Sequence, residues 1–287
     1  MGLFKRNLSW ILPLVLINLV WGWGYDVHKR INYKAAQILE GPLGTFTQHH
    51  ADALAMYAPV ADYIKDAHPD EFHRHFIDAD LYGEYPFTEL FIDYNSLVDL
   101  YGEEKIKKWG SAPWVIEETA TILIQMFKKQ RWNEAVFYMG HLGHYVADLH
   151  MPLHTCANYN GQLTGNDGVH FRWETRMVDE LIPQFDAKGS VITIDHFVES
   201  ALNITKESFS VYPRLLKADS IARKHLTKDQ QIEINTYKEL HFEDRYLKIL
   251  YAETEDVVHD RLGRAATLTA SFWLSCWKAA GSPPLPQ

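Results

Sequence analysis

Apolar residues recur three and four positions apart along most of the chain, the stripe of an amphipathic helix. The stretches 26–40, 50–64, 88–98, 113–130, 132–149, 168–183, 193–209, 229–239 and 255–280 carry this pattern. No segment alternates long enough for a sheet strand, and there is no internal repeat or low-complexity tract. Gly, Pro and Asn gather at 40–46, 65–87, 150–168 and 183–190, which therefore read as loops. The stretch 132–149 is apolar on most faces and reads as a central, buried helix. The last helix ends at Gly281, before Pro283 and Pro284. The expected fold is all-α, a single-domain multi-helix bundle over residues 23–287.

The first residues follow a different pattern. Lys5 and Arg6 precede an apolar run over 8–20, short for a membrane span but the right length for an export signal. Val20 and Gly22 satisfy the small-residue rule, so residues 1–22 read as a cleaved signal peptide with Trp23 as the mature amino terminus. An uncleaved anchor is the alternative. The expected location is secreted or periplasmic.

Composition narrows the chemistry. Of 287 residues, 47% are apolar, enough for a substantial core, and fifteen are histidine, many for this length. The formal charge is −9, and residues 23–287 hold 26 basic and 37 acidic residues, net −11. That balance argues against broad electrostatic binding of duplex DNA, but not against single strands entering a metal-lined cleft. Cys156 and Cys276 are too few for a disulfide scaffold; they either pair with each other or sit as small buried residues. Without a CxxC motif, any metal site must be built from His, Asp and Glu.

The strongest signal is His144-x3-Asp148-x5-His154, followed by His170-x3-Glu174. Residues i and i+4 share one helix face, so each pair can chelate one ion. Pro152 ends the first helix and lets the chain bring His154 back. Imidazole with carboxylate suits zinc. A carboxylate on an apolar helix also needs a partner, which favours a metal over a lone core pair. Upstream, Trp23-Gly-Tyr-Asp-Val-His28 offers an α-amino group once the signal is removed, and Asp62-Tyr63 and His75 add further donors.

With these residues in place, the segment 134–159 resembles the central helix and turn of the bacterial zinc-dependent phospholipase C family, related in fold to the single-strand-specific zinc nucleases. The resemblance implies three zinc ions. Asp62, His75, His144 and Asp148 would hold the first, and His154, His170 and Glu174 the second. Trp23 and His28 would hold the third, with Asp148 bridging to the first. It further implies a hydrolase of phosphate esters that works by in-line attack of metal-activated hydroxide on a phosphodiester, with Asp62 orienting or deprotonating the nucleophile.

The substrate is less sharply drawn. Asp26, Tyr63 and Phe72 match the positions at which the phospholipase branch holds choline, and an aromatic cage with a carboxylate suits a quaternary ammonium. The short spacing from Trp23 to His28, and Lys65 three residues after Asp62, resemble the nuclease branch instead. Glu174 and Thr175 depart from the Asp and Asn expected there. The expectation is phospholipase C-like activity, with a single-strand-specific nuclease or 3'-nucleotidase as the alternative and a non-catalytic metal-binding protein as a third reading. The implied partners are a phospholipid or another phosphodiester, single-stranded nucleic acid in the alternative, and a membrane surface in passing, with no stable protein partner. His141 reads equally as a residue behind the metal ligands and as a core histidine. His73 and His150 point elsewhere by periodicity, and Asn203-Ile-Thr205 is a glycosylation sequon within a helix.

Overall fold

The computed structural model describes residues 24–90, 92–230 and 244–286. Trp23, the expected signal at 1–22 and most of the helix expected at 229–239 lie outside these residues. Thirteen α-helices are described, with short 3-10 turns and no strand ladder. The fold is the all-helical single domain that the periodicity predicts. Among the described residues no helix is long and apolar enough to cross a membrane.

The first four helices are α1 (Tyr25–Ile38), α2 (Gly41–His49), α3 (Ala51–Tyr57) and α4 (Val60–Ala67). α2 stands where a loop was expected. Pro42 lies in its first turn, where no N–H is needed, and Leu43, Phe46 and Thr47 are buried. The helix expected over 50–64 breaks at Pro59, which precedes α4. A 3-10 turn at Pro69–Arg74 leads to α5 (Ala79–Tyr82), α6 (Tyr94–Tyr101) and α7 (Glu103–Trp109). The highly charged α7 shows no apolar stripe, which is why periodicity passes over it.

Next come α8 (Ala112–Lys128) and α9 (Trp132–His150). α9 is the axis of the molecule, with every residue from Met139 to His150 buried. Gly143 lets α1 approach it: a Cβ there would meet Asn32 Oδ1 at 2.0 Å. The Asn32 side-chain NH2 donates to the carbonyl of Gly140 at 3.0 Å, so the donor end of this amide is paired inside the contact.

Beyond α9, α10 (Val169–Phe171) runs through a π-helical segment, Arg172–Met177, into α11 (Val178–Leu181). α12 (Phe197–Arg223) is longer than the expected 193–209. Pro213 lies inside it, yet the apolar stripe continues beyond through Leu215, Leu216, Ala218 and Ala222, and packing overrides the local cost. The described part of α13 spans Asp244–Ala279. It joins the two core clusters, with Tyr246 and Leu250 in one and Phe272 and Trp273 in the other. Trp273 Nε1 donates to the carbonyl of Met139 on α9 at 2.8 Å. Cys156 and Cys276 are both free and buried, one in each cluster, so they do not pair.

A buried ion network fixes the segment around α10. Arg172 and Asp219 are both fully buried, with Arg172 Nη2 2.7 Å from Asp219 Oδ1. Asp219 also accepts from Arg223 Nε at 2.6 Å, from Asn166 Nδ2 at 2.8 Å and from the Tyr246 hydroxyl. Burial pushes the Asp219 carboxyl up, but Arg172 and Arg223 outweigh it and hold the group below the usual carboxylate range. Removing one side of such a pair leaves an uncompensated buried charge. Asp219→Ala should therefore lower unfolding stability by about 3–5 kcal/mol in denaturant titration. A loss below about 1 kcal/mol would contradict the role given to this network.

Candidate metal centre

Five segments meet below the C-terminal end of α9. Helical spacing sets His144 above Asp148, and Nε2 of the one lies 3.0 Å from Oδ2 of the other. α1 contributes His28, whose Nε2 is 3.4 Å from Asp148 Oδ1. α4 contributes Asp62. The chain after the 3-10 turn contributes His75, with Nδ1 3.0 Å from Asp148 Oδ2 and 3.6 Å from Asp62 Oδ1. The turn that begins at Pro152 brings His154 back, as the sequence suggests, with Nδ1 3.4 Å from Asp148 Oδ1. On α10 and its π-helical continuation, His170 Nε2 is 3.1 Å from Glu174 Oε2 and 3.2 Å from His154 Nε2.

Three groups of donors result: His28 with His144 and Asp148; Asp62 with His75 and His144; and His154 with His170 and Glu174. Within each group the donor atoms lie within 4.8 Å of one another and every residue is buried. Asp148 and His144 link the first two groups. Every sequence-identified ligand candidate within the described residues lies in this cluster; Trp23 lies outside them.

Several atoms of the cluster residues are unsatisfied. Both ring nitrogens of His28, Oδ2 of Asp62, Oδ1 of Asp148 and both carboxylate oxygens of Glu174 are buried without a hydrogen-bond partner. Native interiors avoid such orphans unless something else binds them. Conversely, His154 and His170 are held from behind. The Nδ1–H of each donates to a backbone carbonyl, of His75 at 2.9 Å and of Tyr159 at 3.0 Å. That tautomer leaves Nε2 as an inward-facing lone pair. The donor set and its orphaned atoms fit divalent cations.

Electrostatics agree with this fit. Burial pushes the Asp148 carboxyl up, yet His144 and His154 outweigh it and hold it well below the usual range. Asp62 is raised by burial but lowered more by His144, Lys65 and His75, and falls to about 2. Burial dominates at Glu174, which rises to about 7, and at His154, which falls to about 3.

Glu71, Arg74 and Tyr145 lie behind His75, and the sequence reading passed over all three. Glu71 Oε1 is 3.6 Å from His75 Nε2 and accepts from the Tyr145 hydroxyl, while Arg74 Nε lies 3.3 Å from Glu71 Oε2. Glu71 thus places negative charge on the Nε2 side of His75, whose Nδ1 faces Asp62 and Asp148. The signal was present as Glu71-x3-His75, hidden in a segment read as loop. His141 is a core histidine: its ring lies tilted against Phe137 at 4.2 Å and its Nδ1 lies 3.4 Å from the Phe137 carbonyl. His73 faces Ser111 and His150 faces the Val146 carbonyl, both away from the cluster.

A cleft of about 270 Å³ opens beside His75, His154 and His170, lined by Lys65, Phe72, Phe76, Asp78, Lys108 and Tyr159. Gly110 seats its wall, because a Cβ there would meet the Phe76 carbonyl oxygen at 2.2 Å. Burial, with Asp80 nearby, raises Asp78 to about 7, and its Oδ1 has no partner. Lys65 Nζ sits 2.7 Å from Asp62 Oδ1, joining the cleft to the donor cluster. Of the three residues expected to cage choline, only Phe72 lines this cleft, where it packs edge-on to Phe76. Asp26 is 74% exposed and pairs with Lys29, and Tyr63 pairs with Tyr25. The cage is not assembled.

Comparison with curated protein sequences gives no match. Among solved structures, the alpha toxin of Clostridium absonum aligns with a TM-score of 0.50 and 18% identity, over 90% of this chain and 64% of the toxin. That likeness concerns the fold, and this chain spans less than two thirds of the toxin's length. The family model of the S1/P1 nucleases matches residues 23–212, about two thirds of the chain. Every buried donor in the cluster falls inside that match, whose first residue is Trp23, and the chain therefore belongs to the S1/P1 nuclease family.

Proposed function

We propose that the chain is an exported, zinc-dependent nuclease that hydrolyses phosphodiesters of single-stranded nucleic acid. One observation carries this reading over the phospholipase reading. Lys65 lies against Asp62 at the mouth of a cleft walled by Phe72 and Phe76, with the Asp78 carboxyl inside. A cation beside the donor cluster, aromatic faces and a buried polar group suit a phosphate carrying a nucleobase. The family match supports the same choice, whereas a choline site would need Asp26 and Tyr63 in that cleft.

Asp62, His75, His144 and Asp148 would hold one ion, His154, His170 and Glu174 a second, and His28 with Trp23 and Asp148 a third. The all-nitrogen and oxygen donor set suits zinc. Bound there, such ions would neutralise charge building on phosphoryl oxygens and would make water acidic enough to ionise near neutral pH. The chain's own residues do the positioning. Asp62 stays ionised, with Oδ2 free to accept a hydrogen bond from the attacking water and orient it. Lys65 Nζ directs its charge at the phosphate. Phe72 and Phe76 hold the attached nucleoside in the drier part of the cleft.

Metal-loaded protein should cleave single-stranded DNA and leave phosphatidylcholine intact. Lys65→Ala should lower kcat/KM for DNA about 100-fold with metal content unchanged, whereas Asp62→Asn should lose metal and activity together. Release of phosphocholine without DNA cleavage would return the assignment to a phospholipase.

Metal uptake should release protons. In the metal-free protein, burial raises Glu174 to about 7. His144 and His170 also titrate above the ordinary histidine range, because Asp148 and Glu174 outweigh the effect of burial. Glu174 at about 7 is partly protonated near neutrality and a cation must displace that proton, so affinity should fall as pH drops from about 8 to about 6. Calorimetric titration in two buffers of different ionisation enthalpy reads the proton count; a count of zero at pH 7 would count against this donor set.

We further propose that signal removal after Gly22 completes the site by freeing the Trp23 amino group. Protein retaining residues 1–22 should bind two ions where mature protein binds three, as counted by native mass spectrometry. Equal counts would remove Trp23 from the ligand set.

A further inference from the structure

The inward face of α1 serves the donor cluster through His28, and its outer face has no role in that cluster. Tyr25, Lys29 and Tyr33 follow one another there at i, i+4 and i+8, so they form a row about 12 Å long at the rise of an α-helix. The row starts beside the cluster. The Tyr25 ring lies 4.6 Å from that of Tyr63, and Tyr63 directly follows Asp62 in α4. Both ends of the row present aromatic surface to solvent, Tyr63 being 49% and Tyr33 44% exposed.

The far end of the row opens into a second cleft of about 570 Å³, lined by Lys29, Arg30, Tyr33 and Lys34, and by Phe185 and His259 from across it. None of the ligand candidates lines it. Its lining holds three permanent cations and a single carboxylate, Asp186, in a chain whose formal charge is −9. Asp26 and Asp179 are outside the lining and brace the cations, Asp26 at 2.9 Å from Lys29 and Asp179 at 3.3 Å from Arg30. Arg30 also donates to the Ile182 carbonyl. These contacts fix the positive heads at the edge of the cleft without covering it.

We propose that this row and cleft are a binding track for single-stranded nucleic acid, holding nucleotides beyond the one at the metal centre. The inference rests on the nuclease reading. Bases stack on the Tyr25–Tyr63 pair and on Tyr33, and phosphates lie against Lys29, Arg30 and Lys34. Alternating aromatic faces and cations are what an unpaired strand requires, because its base faces are available for stacking while its backbone carries a charge at every step. A duplex keeps its base faces inside the stack and gains only the charge contacts. The track therefore favours unpaired strands and longer substrates over single nucleotides.

The test compares metal-loaded wild type with Tyr33→Ala and Lys34→Glu on an oligothymidylate of about twelve nucleotides, long enough to span centre and cleft. Bis-p-nitrophenyl phosphate, which reaches only the centre, is the control. Each variant should raise KM for the oligonucleotide about tenfold and leave turnover of the control unchanged. Lys34→Glu should also flatten the dependence of KM on salt. Wild type that cuts the oligonucleotide, with both variants at unchanged KM, overturns the track and leaves the nuclease reading standing. Wild type that hydrolyses the control but neither binds nor cuts the oligonucleotide overturns both. Binding to phosphatidylglycerol vesicles that the variants lose, with oligonucleotide KM unchanged, assigns the surface to lipid and overturns the track.

Discussion

The architecture depends on one buried carboxylate. Asp148 has no solvent exposure, and imidazole nitrogens of His28, His75, His144 and His154 stand 3.0–3.4 Å from it. A charge so placed costs several kcal/mol unless it is compensated. In the metal-free protein His144 and His154 offset that cost, and a cation bound through imidazole lone pairs would take over the same role. The fold accepts that cost, wrapping α9 on every side so that its last turns deliver His144 and Asp148 to one point. Stability and metal binding would then be coupled, because cations held by these donors would also offset the burial of this charge.

A second buried carboxylate, Asp219, shows the opposite solution. Two guanidinium groups, an amide and a phenol saturate it within the protein. Its partner Arg172 stands between His170 and Glu174 in the sequence, so the network anchors the segment that supplies these two donors. The anchor comes from α12, through Asp219 and Arg223, and from α13, through Tyr246. One carboxylate is left open toward a cation and the other is closed to hold part of the same centre in place.

The sequence showed what period and spacing can carry. Two i, i+4 pairs and a proline-directed turn identified His144, Asp148, His154, His170 and Glu174, because helix geometry turns spacing directly into proximity. Glu71 carried the same spacing to His75 and went unread, since its six-residue 3-10 turn is too short to show a period. α2 was hidden by Gly41, Pro42 and Gly44, residues that mark loops on average but here begin a helix. Asp26 and Tyr63 were placed in a substrate cage on positional resemblance. Which side of the cluster they face depends on how α1 packs against α4, a tertiary fact without a local signal. Lys65 was legible for the opposite reason, being one helical turn from Asp62 and tied to it within α4.

An acidic chain that binds a polyanion needs its positive potential to be local. Residues 23–287 carry 26 basic and 37 acidic residues, so their overall field repels nucleic acid at long range. Three divalent ions would add about six positive charges at the centre, more than any surface lysine cluster could concentrate there. The cations on α1 and in the smaller cleft extend that potential to either side over a distance that screening does not erase. Repulsion elsewhere then works in favour of selectivity. A rigid duplex would lie broadly across the acidic surface, whereas a single strand could bend into clefts where lysine and arginine outnumber carboxylates. On this argument, the proposed preference for unpaired strands would arise as much from the charge that surrounds the centre as from the shape of the centre itself.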